Sequence, residues 1–439
     1  MSPEPGGTDR PPDGGVAELP LAGFLVLDLS MFWAGPFATK HLADLGAEVI
    51  KVEGPTRIDH VRTVSVPDRS VAEPYNTSRY FNEYNRNKYG LAIDLQTDAG
   101  RRIVQDLAAM SDVVVENFRP GAIERLGLGY EQLRHANPRV IMVSLPAYSG
   151  LEPERRLPGY GPNVEQMSGI SHLSGYIDGP PQKFGISYGD PVAGLGGAAA
   201  VLMALVARER TGVGRRIEVS QRNLLLTFIG DAIVAHQFGA HVERQGNRSP
   251  VHAPQGVYPS QGADGTPAEQ ADSWVAVSVT TDEQWTRLAE AMGRPDLAAD
   301  ARLLDARARR ATHDDLDREI AAWTRTMPAA TVADKLQTVG VPASPVLTPD
   351  DLRDDPQLTA RAFLRTVDHA TMTPMKLTAP TWHFHGLDVE LRAAPGLGEH
   401  NRDILRGRLG LSDDYVDELE AQGVIAKEPQ QKPGRSRHA

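Results

Sequence analysis

The chain has 439 residues, 41% hydrophobic and 23% charged, a composition that suits a soluble globular protein of two or three folding units. Its 46 Lys+Arg against 57 Asp+Glu give a formal charge of -11, which argues against a nucleic-acid or acidic-membrane binder but leaves room for one phosphorylated small molecule on a local basic cluster. The absence of cysteine removes disulfides, thiolate zinc sites, iron–sulfur clusters and cysteine nucleophiles together.

Residues 1–17 are polar and rich in Pro and Gly, without the apolar core of a signal peptide, and 427–439 are polar again; both are expected to be disordered tails of a cytoplasmic protein. Residues 24–29 (FLVLDL) read as a buried strand, Ala34-Gly35-Pro36 as the start of a helix, Gly46 as its cap and 48–52 as the next strand. A helix over 98–110, a strand over 112–115, short helices to 135 and a strand over 140–144 follow, then a helix after Asp190 and a strand over 216–219. Strands separated by helices pair in parallel through right-handed crossovers, so the fold class is α/β with a doubly wound parallel sheet.

Further on, a long helix is expected from Gln221, a loop over 256–272, a strand over 273–279 and helices from Asp282 to Gly340, together a smaller α+β domain. Residues 342–347 read as an extended linker, 381–384 as a strand and 413–422 as a final helix. The domain division is 18–222 for the N-terminal part of the large domain, 223–345 for the small domain, and 346–426 for a linker and a return to the large domain. The loop 54–80 has little periodicity, and such long loops are often functional. The apolar run 191–207 is rich in Gly and Ala and too short for a membrane span, so a buried helix is expected.

Gly189-Asp190-Pro191 before a Gly/Ala-rich helix has the letters of an N-cap, which is the plain reading. The chemical reading is that a carboxylate at the positive end of a helix dipole stays ionised and can act as a nucleophile. Glu53 stands where a ribose-binding acid would follow a second strand, but the first turn, SMFWAGP, lacks the dinucleotide fingerprint. Gly185-Ile186-Ser187-Tyr188-Gly189 matches the letters of a serine-hydrolase elbow without a strand before it. His383 and His385 alternate on a presumed strand and face one side, with no third ligand nearby, so no metal site is expected. Asn117-Phe118-Arg119-Pro120-Gly121 follows a strand, where parallel sheets bind ligands.

Several segments then match one pattern in order: Ala34-Gly35-Pro36 with LGAEVIKVE from Leu45; Asn85-Arg86-Asn87-Lys88 with LAID from Leu91; VENFRPG from Val115, running into ERLGLGY from Glu124. Met167-Ser168-Gly169, Gly189-Asp190, RTGVG from Arg210, Gly246-Asn247-Arg248 and Gly398-Glu399-His400-Asn401 complete it. Over about 21–425 the chain resembles the class III coenzyme A-transferases, the family of formyl-CoA and carnitine CoA-transferases.

The resemblance implies a large Rossmann-like domain built from both ends of the chain, a smaller middle domain, and a homodimer of interlinked chains. It implies acyl-CoA donor and carboxylic acid acceptor as substrates, coenzyme A as the carried group, and no metal, nucleic acid or membrane. The family's catalytic aspartate falls on Asp190. Its CoA-binding positions fall on Phe32, Trp33, Ala34, Ile93, Asn117, Phe118, Arg125 and Leu126, with Arg125 pairing a phosphate, and Tyr160 falls in the substrate pocket. The implied chemistry runs through a mixed anhydride and an aspartyl-CoA thioester on Asp190.

Two positions depart from the pattern. Trp33 replaces a frequent Gln, and Gly161 replaces an acid after Tyr160. The related α-methylacyl-CoA racemases would need a His at Tyr160, a position where tyrosine is a poor acid–base group near neutral pH. A non-catalytic partner subunit of the same fold is the remaining alternative.

Overall fold

The computed structural model describes residues 18–151 and 153–431, whose contacts divide the chain into two units. The first comprises the described part of Met1–Ser168, Ile186–Phe228 and the described part of Ala360–Ala439. The second comprises Gly169–Gly185 and Ile229–Thr359. The sequence division at 222/223 and 345/346 differs from this partition: the contacts divide at 228 and 359, and 169–185 joins the second unit. Both expected tails lie outside the described residues, apart from 427–431.

In the first unit β1 (Leu25–Asp28), α1 (Ala34–Asp44), β2 (Glu48–Glu53), α2 (Arg79–Asn85), β3 (Tyr89–Ala92), α3 (Asp98–Met110) and β4 (Val113–Glu116) follow in order. Then come α4 (Ala122–Arg125), α5 (Tyr130–Ala136), β5 (Ile141–Ser144) and α6 (Gly161–Met167). After α7 (Ile170–Leu173), which belongs to the second unit, the chain returns with α8 (Gly189–Thr211), β6 (Arg216–Glu218) and α9 (Gln221–Leu226). All six strands pair in parallel, in the order β3-β2-β1-β4-β5-β6. The order reverses direction between β1 and β4, the switch point where such sheets open a crevice at their carboxyl ends.

The alternation along each strand builds two cores. Val26, Val49, Val113 and Val143 face α1 and α8, meeting Leu42, Val201 and Leu205. Leu27, Ile50, Val114 and Met142 face the other way, into a cluster with Val104 and Leu107 of α3 and with Ile404, Leu419 and Ile425 from the end of the chain. Each such side chain contributes about 1.5–3 kcal/mol on burial.

α8 shows why its glycines are there. A Cβ on Gly194 would lie 2.7 Å from the Ala34 carbonyl oxygen, and one on Gly197 would lie 2.7 Å from Leu145 Cδ2. The small residues let α8 lie directly on the backbone of α1. At 23 residues, α8 is longer than the apolar run suggests, and it is long and apolar enough by length and composition to cross a membrane. One face is packed in the core, while Leu195, Met203 and Val206 on the other are exposed.

The second unit holds α7, α10 (Gly230–Gln237), and strands β7 (Gln255–Pro259), β8 (Trp274–Ser278) and β9 (Ala343–Pro345) in a three-stranded antiparallel sheet, order β7-β8-β9. The helices α11 (Asp282–Ala291), α12 (Pro295–Ala299), α13 (Ala306–Ala311), α14 (His313–Thr324) and α15 (Ala329–Thr338) lie between β8 and β9. Trp285, Leu288, Ile320, Val332 and Leu336 form its core with Val275 and Val277. The short helices α16 (Pro349–Arg353) and α17 (Pro356–Ala360) lead to a hairpin, β10 (Leu364–His369) and β11 (Met372–Thr378), and then α18 (Asn401–Gly407) and α19 (Asp413–Ala421).

Four sequence expectations are corrected. The long helix from Gln221 is not one α-helix: α9 ends at Leu226, a 3-10 turn spans Thr227–Ile229 with the Thr227 hydroxyl donating to the Leu224 carbonyl (2.6 Å), and α10 follows directly from Gly230. Residues 255–259 are strand although their composition reads as loop, and the supposed linker contains β9. Both are edge strands, where Pro259 and Pro345 cost no inner ladder bond. Residues 381–384 are irregular; the strands of this region are the β10–β11 hairpin before them.

Candidate active site

The crevice at the switch point is framed by the residues after β1 and β4. Asn117 reaches across it: its Oδ1 accepts from the Met31 N–H (2.9 Å) and its Nδ2 donates to the Met31 carbonyl (2.6 Å). The next residue, Phe32, has φ +68°, a left-handed conformation that costs a bulky residue on the order of 1–2 kcal/mol. Asp59 holds it there by accepting the Phe32 N–H (2.9 Å). Asp59 is in turn fixed by Lys51 Nζ (3.0 Å), both side chains being fully buried. Lys51 also donates to the Ser30 carbonyl. Burial opposes the Lys51 charge, but Asp59, Asp28 and Glu53 around it raise its pKa overall. The loop 54–80 therefore supplies a buried anchor to the first loop.

Trp33 is the residue before α1, where it stacks on Tyr84 (5.1 Å, 18° between planes) and meets Tyr80 edge-on (5.8 Å). Its indole N–H is buried without a hydrogen-bond partner. Phe32 meets Tyr160 edge-on at 5.8 Å. Ala34 is buried, with its carbonyl against Gly194 of α8. Gly194 lies one turn along α8 from Asp190 and so on the same face, which brings Asp190 to the start of α1.

Asp190 does not cap α8. The residue before the helix is Tyr188, no side chain caps the helix from within its own segment, and Asp190 sits inside the first turn. A Cβ on Gly161, the first residue of α6, would lie 2.1 Å from Asp190 Oδ2 and 2.8 Å from Ser187 Cβ. Burial, followed by the charge of Glu165, pushes the Asp190 carboxyl up to about 7. The expectation that the helix dipole keeps it ionised is therefore corrected: near neutral pH it is poised between its two forms.

Glu165 was not anticipated. It is fully buried on α6. Its Oε1 accepts the Gly189 N–H (3.3 Å), the first amide of α8, while Oε2 is buried without a partner. The motif around Ser187 is no hydrolase elbow, since no strand precedes it; Ser187 instead helps wall in Asp190. Glu53, read as a ribose acid, is consumed by Arg62, which donates from Nε (2.9 Å) and Nη2 (2.8 Å).

On the far side of Asn117, Phe118 and Leu126 pack partly against the main core. Arg125 is exposed. A Cβ on Gly121 would lie 3.3 Å from its Nη1 and 3.5 Å from Nη2 of Arg155, so two guanidinium groups flank one left-handed glycine. Among the described residues neither has a carboxylate partner, and such a fork pair fits a phosphate. Arg155 was not singled out in the sequence. Ile93 is not at the surface: its side chain lies in the core, and its backbone bridges to Ile425.

At the end of β4, burial raises Glu116 to about 7 while its Oε2 accepts the Phe118 N–H (2.8 Å). His383 and His385 meet edge-on at 5.6 Å on irregular backbone. Among the described residues no group of three or more His, Asp or Glu is placed to hold a metal. A cavity of about 460 Å3 opens elsewhere in the unit, lined by Asn76, Lys88, His369, Arg392 and His400 and by none of the site residues above.

Comparison with known proteins bears on this site. The family model described as CoA-transferase family III matches residues 21–401. The chain is 36% identical over 415 residues to a succinyl-CoA–D-citramalate CoA-transferase of Chloroflexus aurantiacus, covering 92% of this chain and 98% of that one. It is 32% identical to a formyl-CoA:oxalate CoA-transferase of Streptomyces avermitilis, covering 92% and 99%. A crystal structure of a CAIB/BAIF family protein from Brucella suis superposes with a TM-score of 0.79 at 31% identity, covering 89% of this chain and all of that one.

Proposed function

The chain belongs to CoA-transferase family III and is a class III CoA-transferase; from that premise we propose that it moves coenzyme A from an acyl-CoA thioester to a carboxylic acid by covalent steps on Asp190. The observation that carries the mechanism is the half-buried Asp190 carboxyl in the first turn of α8, its Oδ2 set against Gly161 of α6. It is a nucleophile with little solvation to lose and little hydrogen bonding to break.

An Asp190 oxygen attacks the thioester carbon, the C–S bond breaks, and CoA leaves as thiolate. The thiolate attacks the Asp190 carbonyl of the mixed anhydride and releases the donor acid as its carboxylate. The acceptor carboxylate repeats these steps in reverse on the aspartyl-CoA thioester. Each step exchanges one activated acyl bond for another, so ATP is not needed. Arg125 and Arg155 hold CoA phosphates, and the loop pinned by Asn117 and Asp59 presents Phe32 and Trp33 to the thioester arm.

The homodimer is part of the same proposal. Leu195, Met203 and Val206 form an exposed stripe on α8 that a second copy would cover. Light scattering should give the wild-type mass as that of two chains, and a Met203→Asp substitution should lower the yield of that folded dimer.

The acyl donor and acceptor are found by mass spectrometry of the purified protein with a panel of acyl-CoAs and carboxylic acids. Exchange of CoA between acids, with a transient CoA adduct on Asp190, is the expected result. An Asp190→Ala variant that still exchanges CoA overturns the mechanism. Deuterium uptake at the α-carbon with no acceptor acid would favour the racemase reading.

A further inference from the structure

Glu165 has two features that helix packing does not require. One of its oxygens serves α8 from a different helix, accepting the Gly189 N–H at 3.3 Å immediately before Asp190. The other oxygen is buried with no donor at all. A neutral acceptor would cap α8 equally well, and a buried carboxylate with an unsatisfied oxygen is costly to keep.

Among the described residues no cation is paired with Glu165 or Asp190. α6 contributes Glu165, and α2 contributes the Tyr84 phenol, itself raised by burial, Tyr80, Glu83 and Asp190. The first turn of α1 (Ala34, Gly35, Pro36) carries no charge. Farther along α1, Lys40 is paired with Glu83, and His41 is kept neutral by burial and by Lys40. On α9, Arg222 is paired with Glu154. The charged neighbour that acts on Asp190 is thus another acid, Glu165.

We propose that Glu165 is a positioning residue for the covalent chemistry, destabilising the free Asp190 carboxylate relative to the uncharged aspartyl-CoA thioester and so setting how much intermediate the enzyme holds. This rests on the covalent reading above. When Asp190 attacks, a C–O bond forms and the C–S bond breaks, and CoA takes the bonding pair. When thiolate attacks the anhydride, a C–S bond forms at Asp190 and the anhydride C–O bond breaks. The donor acid departs with the negative charge that began on Asp190. Repulsion from Glu165 therefore acts on the free enzyme and is absent in the thioester. The same repulsion opposes deprotonation of Asp190, so intermediate level and acid limb move together.

The test compares wild type with Glu165→Gln, which keeps an oxygen for the Gly189 N–H and removes only the charge. The donor is succinyl-CoA, or the donor selected by the panel if that one is not turned over. Intact mass measures the fraction of CoA-modified protein without acceptor at pH 8, and kcat/KM is followed from pH 5 to 9. Expected are a wild-type acid limb near 7, and in Glu165→Gln a limb about one unit lower with about tenfold less adduct relative to free enzyme, since one unit corresponds to a factor of ten. An unchanged limb and adduct level in a folded variant overturns the inference and leaves the covalent reading intact. Turnover by wild type with no adduct under any trapping condition overturns both. Should that variant fail to fold, Glu165→Leu is read in the same two measurements: a lowered limb with less adduct supports the inference, and an unchanged limb and adduct level overturns it.

Discussion

Gly161 and Asp190 compete for one space: the position of a Cβ on Gly161 lies 2.1 Å from Asp190 Oδ2, closer than any two such atoms can stand. Gly161 has no left-handed φ, so the glycine is there for room and not for backbone freedom. The missing acid after Tyr160 thus makes space for the Asp190 carboxylate, while the acid of this site comes from Glu165 one turn further on.

Gly161→Ala should therefore push the Asp190 carboxyl aside. A displacement of about 1 Å at the reacting group costs on the order of 100-fold in rate. The expected outcome is a kcat reduced by that order with CoA affinity kept, measured by CoA exchange and by calorimetric titration with CoA. Normal kcat would mean that the carboxylate works from another rotamer.

Asp190 should also cost the protein stability. Its folded pKa of about 7 lies above the ordinary value of 3.8, so between these values the folded state binds the extra proton. Stability from this group is then present at low pH and is lost as pH rises from about 4 through 7. Asp190→Asn should raise Tm relative to wild type at pH 8 and by much less at pH 4, measured by scanning calorimetry. An equal effect at both pH values would show that the carboxyl is not perturbed.

The two guanidinium groups beside Gly121 should act on binding. Arg125→Ala and Arg155→Ala are each expected to raise KM for the acyl-CoA donor by about tenfold, the loss of one charge-assisted phosphate contact, with kcat little changed. The loss should shrink at high salt, because the contact is exposed. A selective fall in kcat would place these residues nearer the chemistry.

The Lys51–Asp59 pair, fully buried at 3.0 Å, carries both stability and loop shape. Lys51→Met leaves Asp59 charged and unpaired, at a cost of about 3–5 kcal/mol. Denaturant unfolding should register that loss, and KM for the donor should rise as Phe32 leaves its left-handed conformation. A stable variant with wild-type KM would remove Asp59 from any role in the loop.

Much of the first unit was legible because its strands are short apolar runs between amphipathic helices. The helix over 98–110 and the start of α11 at Asp282 coincide with the structure, each announced by a Thr N-cap. The hairpin Leu364–His369 with Met372–Thr378 was missed because Arg, Asp, Lys and Pro interrupt any apolar alternation on its strands. β7 and β9 were missed because edge strands tolerate the prolines that elsewhere mark loops.

By itself the sequence determined the α/β class and the family, because periodicity and ordered motifs are local properties that survive without coordinates, and it singled out Asp190 as the candidate nucleophile. Only the tertiary structure decided that Asp190 lies inside its helix instead of capping it, that Glu165 serves that helix from 24 positions away, that Arg155 joins Arg125, and that Ile93 is core. The reason is physical. A carboxyl's charge state depends on its desolvation and on charges brought near by folding, and a helix reads alike in sequence whether its glutamate meets water or another helix.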